Sequence, residues 1–154
     1  MESKKFDDLK AQYPRLLSSR SRLECGEGWL PIIERFPEEA STIRTGTLLV
    51  DTFYEKYGSL RVEHDSSGMS SEDDIFLDKL ETLAECRSYR RCETCGAEGR
   101  LHESGPLQTL AVACDEHSKE GSPLPPSEYE AGWGGRRYRY DHIRDDMVEV
   151  MEAE

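Results

Sequence analysis

The chain has 154 residues, of which 36% are hydrophobic and 34% charged, and 32 acidic against 20 basic side chains give a net charge of −12. That length supports one core rather than two independent domains, and the acidity repels nucleic-acid phosphates unless basic residues are segregated on one face. A mean hydropathy of −0.75, with no apolar run approaching membrane-spanning length, excludes a helical membrane protein and leaves a thin core that a metal crosslink would strengthen.

Residues 4 to 13 carry Phe6, Leu9 and Tyr13 at near-helical spacing, with Asp7 and Asp8 in the first turn and Pro14 as the stop. Leu16 and Leu17 are read as continuing that packing. In Cys25-Gly26-Glu27-Gly28-Trp29-Leu30-Pro31, the glycines predict a tight turn and Pro31 the first turn of a helix. Trp29, Ile32, Ile33 and Phe36 form its apolar face, with Trp29 as a core anchor. Cys25 is either a small buried hydrophobe or a distant metal-site candidate. Residues 43 to 54 fit a strand or a buried helical turn, and Glu55-Lys56-Tyr57-Gly58 reads as a stop. Ser59 to His64 alternates as a strand with Leu60 and Val62 inward, and Asp65 to Gly68 reads as a loop.

Ser70 or Ser71 caps the longest predicted helix, which stacks Glu72, Asp73 and Asp74 in its first turn and runs to about Ser88 with Phe76, Leu80, Leu83 and Ala84 on one face. From Glu63 to Glu85 there are eight carboxylates and one Lys79. Glu72, Asp73, Asp74, Asp78 and Glu81 are therefore candidates for a partner-binding surface that mimics nucleic-acid phosphate. The plainer alternative is a solvated helix face.

Next comes Cys92-x2-Cys95, eighteen intervening residues, then Cys114-x2-His117. Zn(II) takes four such ligands in a tetrahedron, and pairs spaced this way clasp it from tight turns. Gly96 follows the second cysteine, where φ > 0 is often required. Arg100 to Glu103, a Ser104-Gly105-Pro106 turn and Leu107 to Ala113 predict a β-hairpin between the pairs. The expected unit is a zinc ribbon or treble-clef finger over residues 86–118, holding a structural zinc on Cys92, Cys95, Cys114 and His117. Five cysteines, an odd number with metal-like spacing, argue against a disulfide framework and for a reducing cytoplasm. The opening Met-Glu-Ser-Lys-Lys-Phe has no apolar signal region.

Residues 119–131 have linker composition. Residues 132–154 are expected as an extension. In it, Arg136, Arg137, Tyr138 and Tyr140 interleave cations with aromatics, suited to stacking on bases or to a strand covering the core. Asp141 to Glu154 sets Ile143, Met147, Val150 and Met151 at helical spacing, and is predicted to be an acidic amphipathic helix that docks on the domain or engages a partner. The fold class is thus α+β: a small helical N-terminal part with a short sheet in one zinc-stapled domain (1–118), the finger, and a C-terminal extension.

Three segments in this order, Cys25-Gly-Glu-Gly-Trp29, Glu55-Lys-Tyr-Gly-Ser-Leu-Arg61, and Cys92-Glu-Thr-Cys95-Gly96 with Cys114-Asp-Glu-His117, make the sequence resemble a group of small zinc-finger proteins of tailed phages and prophages. The resemblance covers about residues 5 to 118. It departs at Gly105-Pro106, where a Gly-Trp pair is associated with the group, and after His117. It implies a phage or mobile-element origin and a bacterial host cytoplasm. By analogy, it implies a partner among host defence nucleoprotein complexes, CRISPR effectors included.

The functional expectation is a non-enzymatic inhibitor of such a complex, acting through its acidic surface. The alternative is a zinc-finger nucleic-acid-binding regulator using Arg87, Arg90, Arg91, Arg100 and the Arg136 to Tyr140 cluster. An enzyme is not expected. The His-x-Glu and Pro-Cys-x2-Cys elements of zinc deaminases are missing, and the predicted zinc has no open position for hydrolysis. His102-Glu103 points to opposite faces of a strand, and His142 among Asp141, Asp145 and Asp146, a set that could bind a divalent ion, reads as surface.

Overall fold

The protein is described by a computed structural model covering residues 3–118, 121–126 and 128–151. Helix α1 (Lys4–Gln12) starts where the Ser3 hydroxyl accepts the Phe6 amide, and buries Phe6 and Leu9. After Pro14 the chain enters strand β1 (Leu17–Glu24), which the sequence did not signal. Its Ser-Ser-Arg-Ser-Arg stretch has low β-propensity, and only Leu17, Ser21 and Leu23 turn inward. Tertiary pairing decides its conformation: β1 lies parallel to β2 (Thr47–Lys56), with Leu23 opposite Phe53. A 3-10 turn (Glu27–Trp29) and helix α2 (Leu30–Ala40) form the crossover that a parallel pair requires. Residues 43 to 54, open between strand and helical turn, are thereby resolved in favour of the strand from Thr47.

Strand β2 turns through Tyr57 (φ 51°) and Gly58 (φ 86°) into antiparallel β3 (Ser59–Ser67). Two consecutive positive φ values define a two-residue hairpin turn whose twist matches the flanking strands. Asp65, Ser66 and Ser67, expected as loop, extend β3 because Leu49, Leu48 and Thr47 pair with them. Ser70 caps helix α3 (Ser71–Ser88), its hydroxyl accepting the Asp73 amide at 3.2 Å. The three helices pack with the β1-β2-β3 sheet around Trp29, Ile33, Phe53 and Leu60, each fully buried. Phe53 meets Phe6 and Phe36 edge-on at 6.1 and 5.9 Å, a favoured aromatic geometry.

The finger hairpin is β4 (Arg100–Ser104) and β5 (Thr109–Ala113). The expected linker is partly structured. Ser122–Pro123 forms β6, pairing with Glu103 and His102. Lys119, Glu120 and Ser127 lie outside the described residues.

The C-terminal extension is a meander of β7 (Glu130–Trp133), β8 (Arg136–Asp141) and β9 (Asp146–Glu149). The amphipathic helix predicted from Asp141 is not formed over the described residues. Asp141 Oδ1 instead accepts the amides of Ile143 and Arg144 at 2.9 and 3.1 Å, folding the chain into a turn. Of the four apolar residues at helical spacing, Met147 is buried while Ile143 and Met151 are 85% and 83% exposed, so the period carried no common face. Residues 152–154 of that prediction lie outside the described residues.

Trp133 and Met147 pack on Leu83 and Cys86 of α3, forming a second apolar cluster. Helix α3 is therefore covered on two sides. Leu77, Leu80 and Ala84 face the main core, while Leu83, expected on the same face as Leu80, joins the second cluster.

Candidate metal centre

Helix α3 delivers the chain into the first ligand turn. Gly99 donates its amide to the Arg90 carbonyl at 2.9 Å, and Cys92 donates to Ala97 at 2.8 Å, closing a short loop with Cys92 and Cys95 inside it. Gly96 takes φ 80° and returns its amide to the Cys92 carbonyl at 2.9 Å, as the position after the second cysteine requires. At the far end of β5, His117 donates its amide to the Cys114 carbonyl at 3.1 Å, placing the second pair in a turn rather than on a helix.

The hairpin brings the two turns together. One ligand atom from each of Cys92, Cys95, Cys114 and His117 lies within 4.8 Å of the others. Cys95 and Cys114 sulfurs are 3.7 Å apart, and His117 Nδ1 is 3.6 Å from Cys92 Sγ and 3.1 Å from Cys114 Sγ. Tetrahedral bonds of about 2.3 Å to sulfur and 2.0–2.1 Å to nitrogen predict edges of about 3.8 Å between sulfurs and about 3.5 Å from sulfur to nitrogen. Three thiols and an imidazole at these separations can hold a metal ion, and the donor set is compatible with zinc.

The electrostatics favour anionic sulfur at Cys92. Burial is the largest influence and opposes ionisation, but the backbone amides of Cys95, Cys114 and Thr94 outweigh it and lower the thiol to about 6. The Cys95 amide environment at Ala97 also favours its thiolate, yet desolvation and the neighbouring Cys114 and Cys92 sulfurs raise its pKa. Cys25 and Cys86 behave differently. Burial first, then neighbouring acidic groups, pushes each up to about 12, marking both as neutral buried thiols.

The first two sequence segments converge on this centre. A Cβ on Gly28 would lie 2.1 Å from the Cys92 carbonyl oxygen, and one on Gly26 2.3 Å from that of Glu93. Neither glycine has positive φ. They lie in the tight turn expected of them, where the Trp29 amide donates to the Gly26 carbonyl at 3.3 Å, and their smallness also serves close approach of two backbones. Glu93 reciprocates, accepting the Gly26 amide on its carboxylate and the Gly28 amide on its carbonyl, both at 2.8 Å. Trp29 Nε1 donates to the Arg91 carbonyl at 2.8 Å. From the other side, Gly58 abuts Leu101 and Leu110 of the finger hairpin. The Leu60 amide donates to the Ser88 hydroxyl at 2.9 Å, and Arg61 pairs with Glu85 at 2.9 Å. The finger is thus locked to the core at both ends.

The chain matches no protein-family model, curated protein or solved structure.

The proposed partner-surface residues are not gathered into one free patch. Glu72 and Asp74 are exposed on the first turn of α3. Asp73 instead accepts the Thr45 amide and hydroxyl, which, hydroxyl first, holds its carboxyl below the ordinary range. Asp78 accepts the Trp133 indole N–H at 2.6 Å, and Glu81 pairs with His64 at 2.6 Å. In the extension, Arg136 pairs with Glu149 and Arg137 with Glu130, at 3.4 and 3.3 Å. Tyr138 lies beneath Lys79 Nζ at 4.6 Å, and Tyr140 donates to Asp145 Oδ1 at 2.7 Å.

Asp145 is a structural tie that the sequence does not reveal, where it reads as one of several surface acids. Arg87 Nε reaches its Oδ1 at 2.9 Å and Arg35 its Oδ2 at 2.5 Å, tying the extension to α2 and α3. Among the described residues no helix is long and apolar enough to cross a membrane.

Proposed function

We propose that this is a non-enzymatic interaction protein, stapled by one structural zinc, that binds a basic surface of a host nucleoprotein machine through its acidic side. The observation that carries the reading is the distribution of charge. Glu63, Asp65, Glu72 and Asp74 lie exposed on β3 and the first turn of α3, while Arg136, Arg137 and Arg139 of the extension are engaged by Glu130, Glu149 and Glu128. Exposed carboxylates of this kind steer association toward cationic grooves and oppose approach to phosphate. Phage or mobile-element origin and a defence complex, CRISPR-type included, as partner follow from the sequence resemblance and belong to the proposal.

Zinc is the metal of the proposal, and the donor set supports it. Three thiolates and an imidazole with tetrahedral spacing suit a closed structural site, in which all four positions are protein ligands. The alternative of a nucleic-acid binder loses support where Arg136, Arg137 and Arg139 already have carboxylate partners.

The test is capture of partners from bacterial lysate on the zinc-loaded protein, with and without nuclease treatment, beside Glu72→Lys/Asp74→Lys. Recovery of a nucleoprotein complex that survives nuclease and is lost with the double variant supports the proposal. Recovery of nucleic acid alone, or partners unaffected by the charge reversal, overturns it.

A further inference from the structure

We propose that the Cys95–Cys114 edge of the finger is an oxidative modification site, at which a hydroperoxide joins the two sulfurs and opens the metal centre. The inference rests on the zinc assignment above and not on the identity of any partner.

The three thiols of the centre are unequally placed. Cys92 is fully buried beneath Gly28, and its turn is fixed by the Gly26, Gly28 and Trp29 contacts. Cys95 is exposed and Cys114 half-buried. Their sulfurs are 3.7 Å apart, so closure to a disulfide of about 2.05 Å needs a shift of less than about 2 Å. That movement falls on the outer rim of the turns, away from the keyed Cys92 backbone. Access determines which of the three ligand sulfurs an oxidant reaches, and only the outer pair offers it. Cys25 and Cys86 are buried.

The chemistry balances with one hydroperoxide. Cys95 Sγ attacks the terminal peroxide oxygen, the O–O bond breaks, and the leaving oxygen takes up a proton as water or alcohol. The resulting sulfenic acid is attacked by Cys114 Sγ; the S–S bond forms, the S–O bond breaks, and the departing hydroxide takes a second proton as water. Two thiolates lose two electrons in total and the peroxide gains them. Cys92 and His117 are left as two ligands, too few to retain the ion.

The experiment treats the full zinc-loaded chain with stoichiometric hydrogen peroxide, following released zinc with a chromophoric chelator and mapping disulfides by peptide mass spectrometry. The starting zinc content is measured first. One zinc released per Cys95–Cys114 disulfide, reversed by dithiothreitol and added zinc, is expected. Cys95→His keeps a ligand at that position but removes the reactive thiol, so its release should be at least about tenfold slower. A loaded protein that keeps its zinc, a disulfide through Cys92, or undiminished release from Cys95→His overturns the inference alone. Absence of zinc at the outset overturns the zinc assignment and the inference with it.

Discussion

The indole N–H of Trp29 donates to the backbone carbonyl of Arg91 at 2.8 Å, one residue before Cys92, the first candidate metal ligand. A core tryptophan, itself fully buried, thereby fixes the entry to the finger. The crossover between two parallel strands and the metal centre become one structural unit, and a change at either should be felt at both.

Gly28→Ala tests that coupling. The added methyl would stand 2.1 Å from the Cys92 carbonyl oxygen, which is backbone and cannot swing away. Overpacking should cost about 1–3 kcal/mol or more, and should also weaken zinc binding in a chelator competition. Gly132→Ala, whose nearest neighbour would be the Arg136 oxygen at 3.5 Å, should leave both thermal unfolding and zinc affinity unchanged.

Trp133→Ala tests the docking of the C-terminal meander. Trp133 fills the space over Leu83 and Cys86 and donates to Asp78. Truncation should destabilise the chain by about 3–5 kcal/mol in urea unfolding. Zinc stoichiometry should remain that of the parent, because the ligand turns are built on β4, β5 and the end of α3.

Asp145 predicts a pH dependence. Burial tends to raise its pKa, but hydrogen bonds from Tyr140, Arg87 and Arg35 outweigh that and lower it. A carboxylate with a depressed folded pKa stabilises the protein above its unfolded pKa, and that contribution is lost as pH falls through the folded value. Asp145→Asn should therefore cost about 1–3 kcal/mol at neutral pH, since Arg87 is largely buried while Asp145 is partly solvated. In acid unfolding series, the difference between variant and parent should vanish below the ordinary aspartate range.

Much of this arrangement was legible in the sequence. The ligand set follows from spacing alone, and so do the hairpin between the pairs, the Ser70-capped helix and the Trp29 apolar face, because each is a local pattern. Strand β1 was not legible. Its residues have little strand preference, and their conformation is fixed by pairing with β2, a partner some thirty residues on. The extension misled for a related reason. Ile143, Met147, Val150 and Met151 satisfy a helical period over one short window, whereas the Asp141 side chain and the pairing of Met147 with Tyr140 impose a turn and a strand. The glycines at 26 and 28 were visible, but their purpose depends on Cys92 and Glu93, more than sixty residues away.

His64 offers the opposite pH sign. The hydrogen bond that His64 Nδ1 donates to Glu81 is the largest influence and raises its pKa, against burial and with further help from the Glu81, Asp65 and Asp51 charges. Its contribution is fully present below the unfolded histidine pKa of about 6.5 and is lost as pH rises through the folded value. An NMR titration should find His64 above that reference, and Glu81→Gln should bring it down. A His64 pKa unmoved by the substitution would show that the pair is not coupled.

The central claim is that Cys92, Cys95, Cys114 and His117 hold one zinc. Zinc X-ray absorption on the purified chain, with metal content by mass spectrometry, tests it most directly. The account predicts one zinc per chain, with three sulfurs at about 2.3 Å and one nitrogen at about 2.0–2.1 Å, and loss of that signal in Cys95→Ser and Cys114→Ser. A chain that folds without metal, or a zinc shell unchanged by those substitutions, would contradict it.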